Sequence, residues 1–204
     1  MSDRQRNWLL CGGIGSGKSA VRRILQSLGV DTIDADSVGH EALEPAGPAI
    51  DAVAEAWPEV VEGGIVDRRK LGTIVFNDPA ALKRLESISH PHIFAVITER
   101  LTELRPPVVV EIPLLINPFP GSWRRVVVDA PDHTRVERSV SRGMDRDDVL
   151  ARMASQPSRR EWLAAADLVI PNHGDFTDLD DTVASLMPLL SDSPGSGRSV
   201  DAWR

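Results

Sequence analysis

The chain has 204 residues, of which 42% are hydrophobic and 26% charged, values close to those of ordinary globular proteins. Its net charge of −7 argues against nucleic acid as a partner, because nucleic-acid-binding proteins present a basic face. No apolar run approaches the ~18 residues that a membrane span needs. The single cysteine excludes an internal disulfide framework. We therefore expect a cytoplasmic protein that binds neither nucleic acid nor membranes. We also expect a monomer, although none of these features bears on the oligomeric state.

The first 36 residues predict a strand, a helix and a second strand. The apolar run Trp8–Cys11 stops at glycines, as a buried strand does. Residues 18–28 carry apolar side chains at helical spacing, and Gly29 ends them. Residues 30–33 predict the second strand. Two strands joined by a helix indicate a right-handed βαβ unit and a parallel sheet.

The rest of the chain predicts an α/β fold in which a helical insertion interrupts the sheet. The helical windows of the insertion are residues 38–43, 48–57, 67–76, 79–88 and 94–104. Further strands are predicted at residues 108–112, 125–129 and 168–170, and further helices at residues 131–141, 142–160 and 176–190. Residues 191–204 lack a periodic apolar face, and we expect this tail to be disordered.

The segment Gly12-Gly13-Ile14-Gly15-Ser16-Gly17-Lys18-Ser19 follows the first strand and opens the first helix. It satisfies the pattern Gly-x4-Gly-Lys-[Ser/Thr], in which glycines let successive backbone N–H groups surround phosphate oxygens. Lys18 can bridge the outer phosphates, and Ser19 offers a hydroxyl group to Mg²⁺. The sequence therefore predicts a nucleoside triphosphate site. Its predicted binding residues are Gly13, Gly15, Ser16, Gly17, Lys18, Ser19 and Ala20.

The remaining motifs favour a small-molecule kinase over a switch GTPase. The string Asp36-Ser37-Val38-Gly39 matches the Asp-x-x-Gly switch pattern, but so does a string in the tail, and the guanine-reading Asn-Lys-x-Asp motif does not occur. A kinase instead needs a base beside the acceptor hydroxyl, an acceptor pocket and cations around the transferred phosphoryl group.

Asp34 and Asp36 are candidates for the base, because they follow the second strand at the edge where open α/β sheets bind ligands. Each could instead cap the helix that follows. We assign Asp36 as the catalytic base and leave Asp34 open between capping and catalysis.

Cations could come from Arg135, Arg138 and Arg142, whose i, i+3, i+7 spacing places them on one helix face. Interleaved acidic residues favour a solvated, salt-bridged helix for most arginines of this region. Arg142, just before Gly143, is the residue that we expect to face phosphate. Glu111 ends an apolar strand, where it could hold Mg²⁺ through water or cap the next element.

Several motifs resemble those of dephospho-coenzyme A kinases, in order and at matching intervals over roughly residues 8–190. The matching segments are Gly12 to Ser19, Ile33-Asp34-Ala35-Asp36, Asp67-Arg68-Arg69 to Phe76-Asn77, His90-Pro91, Pro113-Leu114-Leu115, Arg142, Gln156, and Ala166-Asp167 with Val169-Ile170, Asn172 and Gly174. This family transfers the γ-phosphoryl group of ATP to the 3′-hydroxyl of dephospho-coenzyme A, the last step of coenzyme A synthesis.

The resemblance implies a three-layer P-loop core of the nucleoside-monophosphate-kinase kind, formed by residues 1–36, 106–141 and 161–190. It also implies a coenzyme A-binding insertion at residues 37–105 and a helical lid at residues 142–160. The family's proposed base corresponds to Asp36, its phosphate-contacting arginine to Arg142, and its loop near the adenine to Asn172. ATP and Mg²⁺ are then the phosphoryl donor and the metal.

The sequence departs from the family pattern at Cys11, at Ala20 and at Ile116-Asn117-Pro118. Cys11 could be an oxidation-sensitive thiol or a small buried hydrophobe. His90, before Pro91, could orient the acceptor or bond to backbone at a helix start. Two other functions remain open: a kinase of another small alcohol or nucleotide, such as shikimate or a nucleoside, and a nucleotide-binding regulator without transferase activity.

Overall fold

The computed structural model describes residues 7–174 and 176–191, so the predicted disordered tail lies outside the described residues apart from residue 191. The described residues form two compact units, one drawn from Met1–Ile33 and Leu104–Arg204 and the other from Asp34–Glu103. Within the described part of the chain, no helix is long and apolar enough to cross a membrane.

The strands and helices alternate along most of the chain. The strands are β1 (Trp8–Cys11), β2 (Asp31–Asp34), β3 (Val61–Glu62), β4 (Ile65–Val66), β5 (Val108–Glu111), β6 (Arg124–Asp129) and β7 (Leu168–Pro171). The helices are α1 (Lys18–Ser27), α2 (Ala35–Ala42), α3 (Ile50–Ala56), α4 (Arg68–Asn77), α5 (Pro79–Glu103), α6 (Asp132–Ser141), α7 (Arg146–Ser155), α8 (Arg159–Ala164) and α9 (Phe176–Ser191).

The first unit is built on a five-stranded parallel sheet with strand order β2-β5-β1-β6-β7. The central strand, β1, pairs in parallel with β5 and β6, and all four of its residues are buried. Side chains of α1 and α9 pack against one face of the sheet. Helix α8 contacts β6. Because successive side chains of a strand point to opposite faces, the burial of every residue in β1 requires that both faces be covered.

The second unit has a core of its own, formed by helices and the short antiparallel pair β3–β4. The buried residues of this core are Ile50, Val53, Trp57, Val60, Val66, Leu71, Val75 and Ala81. The sequence predicted the helical character of this region. It did not predict the pair β3–β4, since two-residue strands are too short to show a period of two.

Two predictions of helix boundaries were wrong. Residues 79–88 and 94–104 are not separate helices, because α5 runs without interruption through Pro91. Pro91 removes one backbone hydrogen bond of the helix. Side chains on both sides of it, Leu85 before and the buried Ile97 after, pack into the protein and hold both halves of α5 in place. His90 therefore lies inside a helix rather than at a helix start, and its ring contacts that of Phe94 at 5.2 Å between centroids.

The arginine-rich segment 142–160 is likewise not one helix but contains α7 and the start of α8. Gln156, directly before a proline, has extended backbone angles, as the proline ring imposes on its predecessor. Ser158 then caps α8 together with Glu161, each side chain accepting a hydrogen bond from the other residue's backbone N–H.

Candidate active site

The phosphate-binding loop, residues 12–17, joins the end of β1 to the start of α1. Gly17 precedes α1 with a φ of 105°, which glycine adopts without the steric cost of a Cβ atom. No side chain in the described part of the chain caps this helix end, so its first amide groups can face an anion. Lys18 opens the helix, and its Nζ lies 3.4 Å from the carbonyl oxygen of Gly13.

A cavity of about 310 Å³ lies at this loop. Its lining residues are Gly15, Gly17, Lys18, Ser19, Ala20, Arg23, Arg138, Ser141, Arg142, Asn172 and Gly174. The described lining thus carries four cationic side chains and no carboxylate, which suits a polyanion. Most of the predicted nucleotide-binding residues are among them; Gly13 and Ser16 are not. The sequence did not single out Arg23 or Ser141, and it named Arg138 only as one of three candidate cations, of which Arg142 was the one expected to face phosphate.

Arg135, in α6, and Arg142, directly after this helix, have different surroundings. Arg135 is only 4% exposed and donates from Nε to the carbonyl oxygen of Ile14 at 2.9 Å. Arg142 donates from Nε to the carbonyl oxygen of Arg138 at 2.9 Å and lines the cavity. Arg135 is therefore an exception to the solvated, salt-bridged helix expected for most arginines of this region, because α6 packs this residue against the phosphate loop.

Asn172 directly follows β7 and is buried. Like Arg135, it binds the backbone of the phosphate loop. Its Nδ2 donates to the carbonyl oxygen of Ser16 at 2.7 Å, and a Cβ atom at Gly17 would overlap this amide. Arg138 donates to the carbonyl oxygens of Asn172 and Gly174 at 3.0 and 3.1 Å. Burial lowers the pKa of Arg138, and the positive charge of the nearby Arg142 adds to this effect. The predicted place of Asn172 near the adenine stays a prediction.

Glu111, the last residue of β5, is 4% exposed and binds two residues of α1. Its Oε1 accepts a hydrogen bond from Ser19 Oγ at 2.9 Å, and its Oε2 accepts one from Arg22 Nε at 2.7 Å. Since the Ser19 hydroxyl donates its proton to Glu111, its lone pairs are directed elsewhere. A hydroxyl beside a carboxylate fits Mg²⁺, which binds one or two protein oxygens together with phosphates and water. Among the described residues, no group of three or more His, Cys, Asp or Glu could hold a metal by itself.

Asp34 and Asp36 begin the second unit. Asp34 Oδ1 accepts hydrogen bonds from the backbone N–H groups of Asp36 and Ser37 at 3.0 and 3.3 Å, and Asp34 therefore caps α2. Asp36 lies exposed in the first turn of the helix. The sequence left a capping role open for both residues, and the structure shows that Asp34 is the one that caps α2. The role of Asp36 as a base stays a prediction.

Asp129, at the end of β6, is a buried carboxylate that the sequence analysis did not single out. Its two oxygens accept hydrogen bonds from Arg159 Nε and Nη2 at 2.7 and 2.8 Å, and His173 Nε2 lies 3.0 Å from Oδ2. The Arg159 guanidinium is the main reason that the pKa of Asp129 lies below its usual range, and His173 adds to this shift. Asp129 ends an apolar strand, as Glu111 does. The same sequence signal that led us to Glu111 could therefore have identified Asp129.

Cys11, one of the departures from the family pattern, is fully buried at the end of β1. Burial raises the pKa of its thiol to about 11, and Sγ donates to the carbonyl oxygen of Leu114 at 3.4 Å. A thiol that stays protonated at neutral pH is a poor nucleophile. The structure therefore favours the interpretation of Cys11 as a small buried hydrophobe.

Two motif residues of the second unit make local contacts. Asp67 Oδ1 accepts a hydrogen bond from the backbone N–H of Lys70 at 3.0 Å, which is the first cause of its lowered pKa, and Asp67 caps α4. Arg68 Nη2 donates to the carbonyl oxygen of His40 at 3.0 Å and to Glu44 Oε1 at 2.7 Å. These contacts join α4 to the end of α2 inside the unit.

Fold and site together define the class of the protein. A parallel sheet with a glycine-rich phosphate loop after its central strand, a helix N-terminus and a cationic cavity is the arrangement of P-loop kinases. The α/β fold with a P-loop core, predicted from the sequence, is therefore confirmed.

Comparison with known proteins gives the particular family. The dephospho-CoA kinase family model matches residues 9–178. A dephospho-CoA kinase of Frankia casuarinae is 46% identical over 178 residues, which are 84% of this chain and 77% of that protein. The chain belongs to the dephospho-CoA kinase family.

Solved structures agree with this family. A Thermus thermophilus structure has a TM-score of 0.74 at 34% identity, covering 91% of this chain and 98% of that one. The dephospho-CoA kinase from Campylobacter jejuni has a TM-score of 0.65 at 27% identity, covering 92% and 98% of the two chains. The resemblance that the motifs indicated is confirmed.

Proposed function

We propose that this protein transfers the γ-phosphoryl group of ATP to the 3′-hydroxyl of dephospho-coenzyme A and so completes coenzyme A synthesis. The observation that carries the proposal is the cavity at the phosphate loop, whose described lining has four cationic groups and no carboxylate. Family membership supports the choice of acceptor, since the curated relatives bear the name dephospho-CoA kinase.

The proposed reaction is an in-line displacement at the γ-phosphorus. The acceptor hydroxyl oxygen forms the new bond to phosphorus, its proton passes to the Asp36 carboxylate, and the bond to the bridging oxygen of ADP breaks. Lys18 and Arg142 offset the charge that develops on the transferring group and on the leaving ADP. Backbone groups of the phosphate loop and of Ala20 hold the phosphates, and Asn172 flanks the adenine.

Ser19, with Glu111 behind it, would hold Mg²⁺ at the start of α1. When bound, Mg²⁺ neutralises part of the negative charge of the β- and γ-phosphates and so supports transfer. This assignment rests on the contact between the Ser19 hydroxyl and the Glu111 carboxylate, which fixes the direction of the hydroxyl proton.

We assign acceptor binding to the predicted insertion, residues 37–105, and closure over the site to the predicted lid, residues 142–160. Supporting the first assignment, Asp34–Glu103 forms a compact unit with its own core that directly follows β2. A closed lid would exclude water, which competes with the acceptor for the phosphoryl group. We place this activity in the cytoplasm, as the composition and the cysteine content led us to expect, and we take the active form to be a monomer.

A panel of acceptors tests the proposal. The protein is incubated with ATP, Mg²⁺ and, separately, dephospho-coenzyme A, shikimate or a nucleoside, and the release of ADP is followed. We expect acceptor-dependent ADP release with dephospho-coenzyme A alone. Preference for another acceptor would make the protein a kinase of a different alcohol. Binding of ATP without release of ADP in any mixture would indicate a nucleotide-binding regulator.

A further inference from the structure

The peptide groups of Ile14, in the middle of the phosphate loop, are held by two side chains from outside the loop. The Ile14 N–H donates to Oε1 of Gln156 at 2.8 Å, and the Ile14 carbonyl oxygen accepts from Nε of Arg135 at 2.9 Å. Gln156 follows α7 and Arg135 lies in α6, so two separate elements fix the backbone of one loop residue.

Arg135 is part of the packed structure and does not reach the loop from solvent. Its side chain is 5% exposed, and its Nη1 donates to Oδ1 of Asp132, one turn earlier, at 2.9 Å. The next turn is fixed as well, since the buried Ser139 Oγ donates to the carbonyl oxygen of Arg135 at 2.8 Å. The planar guanidinium thus spans Ile14 and Asp132 in one fixed orientation.

Gly13 shows how closely this guanidinium approaches the loop. A Cβ atom at Gly13 would overlap Nη2 of Arg135, and the three heavy atoms nearest to that position all belong to Arg135. Gly13 has no left-handed φ, unlike Gly15 and Gly17. An alanine at position 13 would therefore be opposed by the arginine side chain rather than by the backbone conformation.

We propose that Arg135 is a positioning residue for phosphoryl transfer, which holds the Ile14 peptide so that the phosphate loop is ordered before nucleotide binds. The inference rests on the proposed kinase function. The loop binds phosphate through backbone N–H groups, so a peptide that turned over would present a carbonyl oxygen to the anion. A loop held in its binding conformation also loses less conformational freedom when nucleotide binds.

Binding of ADP, measured by calorimetry on the full chain, tests the inference without the acceptor. Arg135→Met removes both donors, and Arg135→Lys keeps the charge but cannot span two acceptors. We expect ADP to bind about tenfold more weakly to both variants, the effect of losing one charged hydrogen bond. The turnover number with dephospho-coenzyme A should fall about 100-fold, the cost of a displacement of roughly 1 Å in the site.

Arg124→Met is the matched control. The Arg124 guanidinium lies over the Trp8 ring, 5.3 Å from its centroid, at the start of β1 and so at the opposite end of that strand from the phosphate loop. We expect this variant to melt at a lower temperature than the wild type while its affinity for ADP stays unchanged.

Gly13→Ala tests the contact between Arg135 and the phosphate loop by changing the loop instead of the arginine. It replaces Arg135→Met in the test if that variant does not fold. The alanine should displace the guanidinium and weaken ADP binding about as much as Arg135→Met does. The double variant should bind ADP only slightly more weakly than either single variant, because both changes remove one interaction.

Three results would overturn the inference: wild-type ADP affinity in a folded Arg135→Met variant, wild-type affinity in Arg135→Lys, or additive losses in the double variant. If the wild type binds ADP but does not phosphorylate dephospho-coenzyme A, the proposed function fails. The ADP measurements still decide whether Arg135 orders the loop.

Discussion

Single residues around the phosphate loop fall into those that face the cavity and those that hold the loop in place. Arg135, Gln156 and Asn172 bind backbone groups of Ile14 and Ser16 across sequence separations of 121, 142 and 156 residues. The Gly-x4-Gly-Lys-Ser pattern identifies the loop itself, because its chemistry depends on neighbours in sequence. Supporting side chains from distant elements have no fixed spacing, and the sequence could not predict their contacts with the loop.

The substitution Asp36→Asn tests the proposed base. Asparagine keeps the size of the side chain but cannot take up a proton at neutral pH. Turnover should fall by roughly 10²–10⁴-fold, the usual contribution of a general base, while both substrates bind within about tenfold of the wild type. Turnover is measured by ADP release and binding by calorimetry.

Asp34→Asn is the matched control for that prediction. Asn caps helices about as well as Asp, and Asp34 caps α2 through the backbone N–H groups of Asp36 and Ser37. We expect turnover and melting temperature close to those of the wild type. Equal loss of turnover in the two variants, or wild-type turnover in Asp36→Asn, would remove the base assignment from Asp36.

The substitution Glu111→Gln tests the metal assignment. Glutamine can still accept a hydrogen bond from Ser19 but removes the charge that lies beside Arg22. We expect the Mg²⁺ concentration for half-maximal turnover to rise by about 10–100-fold, as is usual when a residue that orients a metal ligand is changed. A Mg²⁺ titration of turnover gives the answer. An unchanged midpoint would leave Glu111 with a purely structural role.

At the scale of elements, the segment that joins α7 to α8 is fixed at two points. Gln156 accepts a hydrogen bond from the phosphate loop, and Arg159 binds the Asp129 carboxylate at the end of β6. His173, in the loop after β7, binds the same carboxylate. Asp129 therefore joins the start of α8 and the loop that carries Asn172 to one end of the sheet.

The pair Asp129–Arg159 predicts a pH dependence of stability. The pKa of Asp129 is lowered in the folded protein, so its contribution is present above the unfolded pKa of about 3.9 and is lost as pH falls through the lower folded value. Asp129→Asn should lower the free energy of unfolding by about 1–2 kcal/mol near pH 7, allowing for the partial exposure of Arg159. The difference should begin to shrink below about pH 4, where the carboxyl group of the unfolded chain takes up a proton, and should be lost below the lower pKa of the folded protein.

Urea unfolding of the wild type and the variant at several pH values measures this effect. Glu41→Gln is the control, because the Glu41–Arg100 pair is about half exposed and such pairs contribute at most about 1 kcal/mol. A difference between Asp129→Asn and the wild type that stays constant down to pH 3 would contradict the account.

The sequence predicts elements well where local pattern and tertiary packing agree. β1 was predicted at its observed bounds, and the second strand, predicted at residues 30–33, is observed one residue later as Asp31–Asp34. Prediction failed at α5, where packing on both sides of Pro91 outweighs its local effect. It failed again at residues 142–160, where Pro157 and the capping box of Ser158 divide one apparent helix into two.

At the scale of the whole molecule, charge is distributed unevenly. The chain carries a net charge of −7, yet the described lining of the cavity at the phosphate loop has four cationic side chains and no carboxylate. The net charge therefore gave an argument against nucleic acid as a partner, which stays a prediction, but no information about a polyphosphate ligand. The local motif, not the composition, predicted the nucleotide site.

The central claim is that the protein phosphorylates the 3′-hydroxyl of dephospho-coenzyme A, and identification of the product tests it most directly. The wild type is incubated with ATP, Mg²⁺ and dephospho-coenzyme A, and the product is analysed by mass spectrometry and phosphorus NMR. We expect one phosphate on the ribose 3′-oxygen for each ADP formed, and a rate about 10²–10³-fold lower for Lys18→Ala. Release of free phosphate from ATP with unmodified dephospho-coenzyme A, or an unchanged rate in folded Lys18→Ala, would contradict the account.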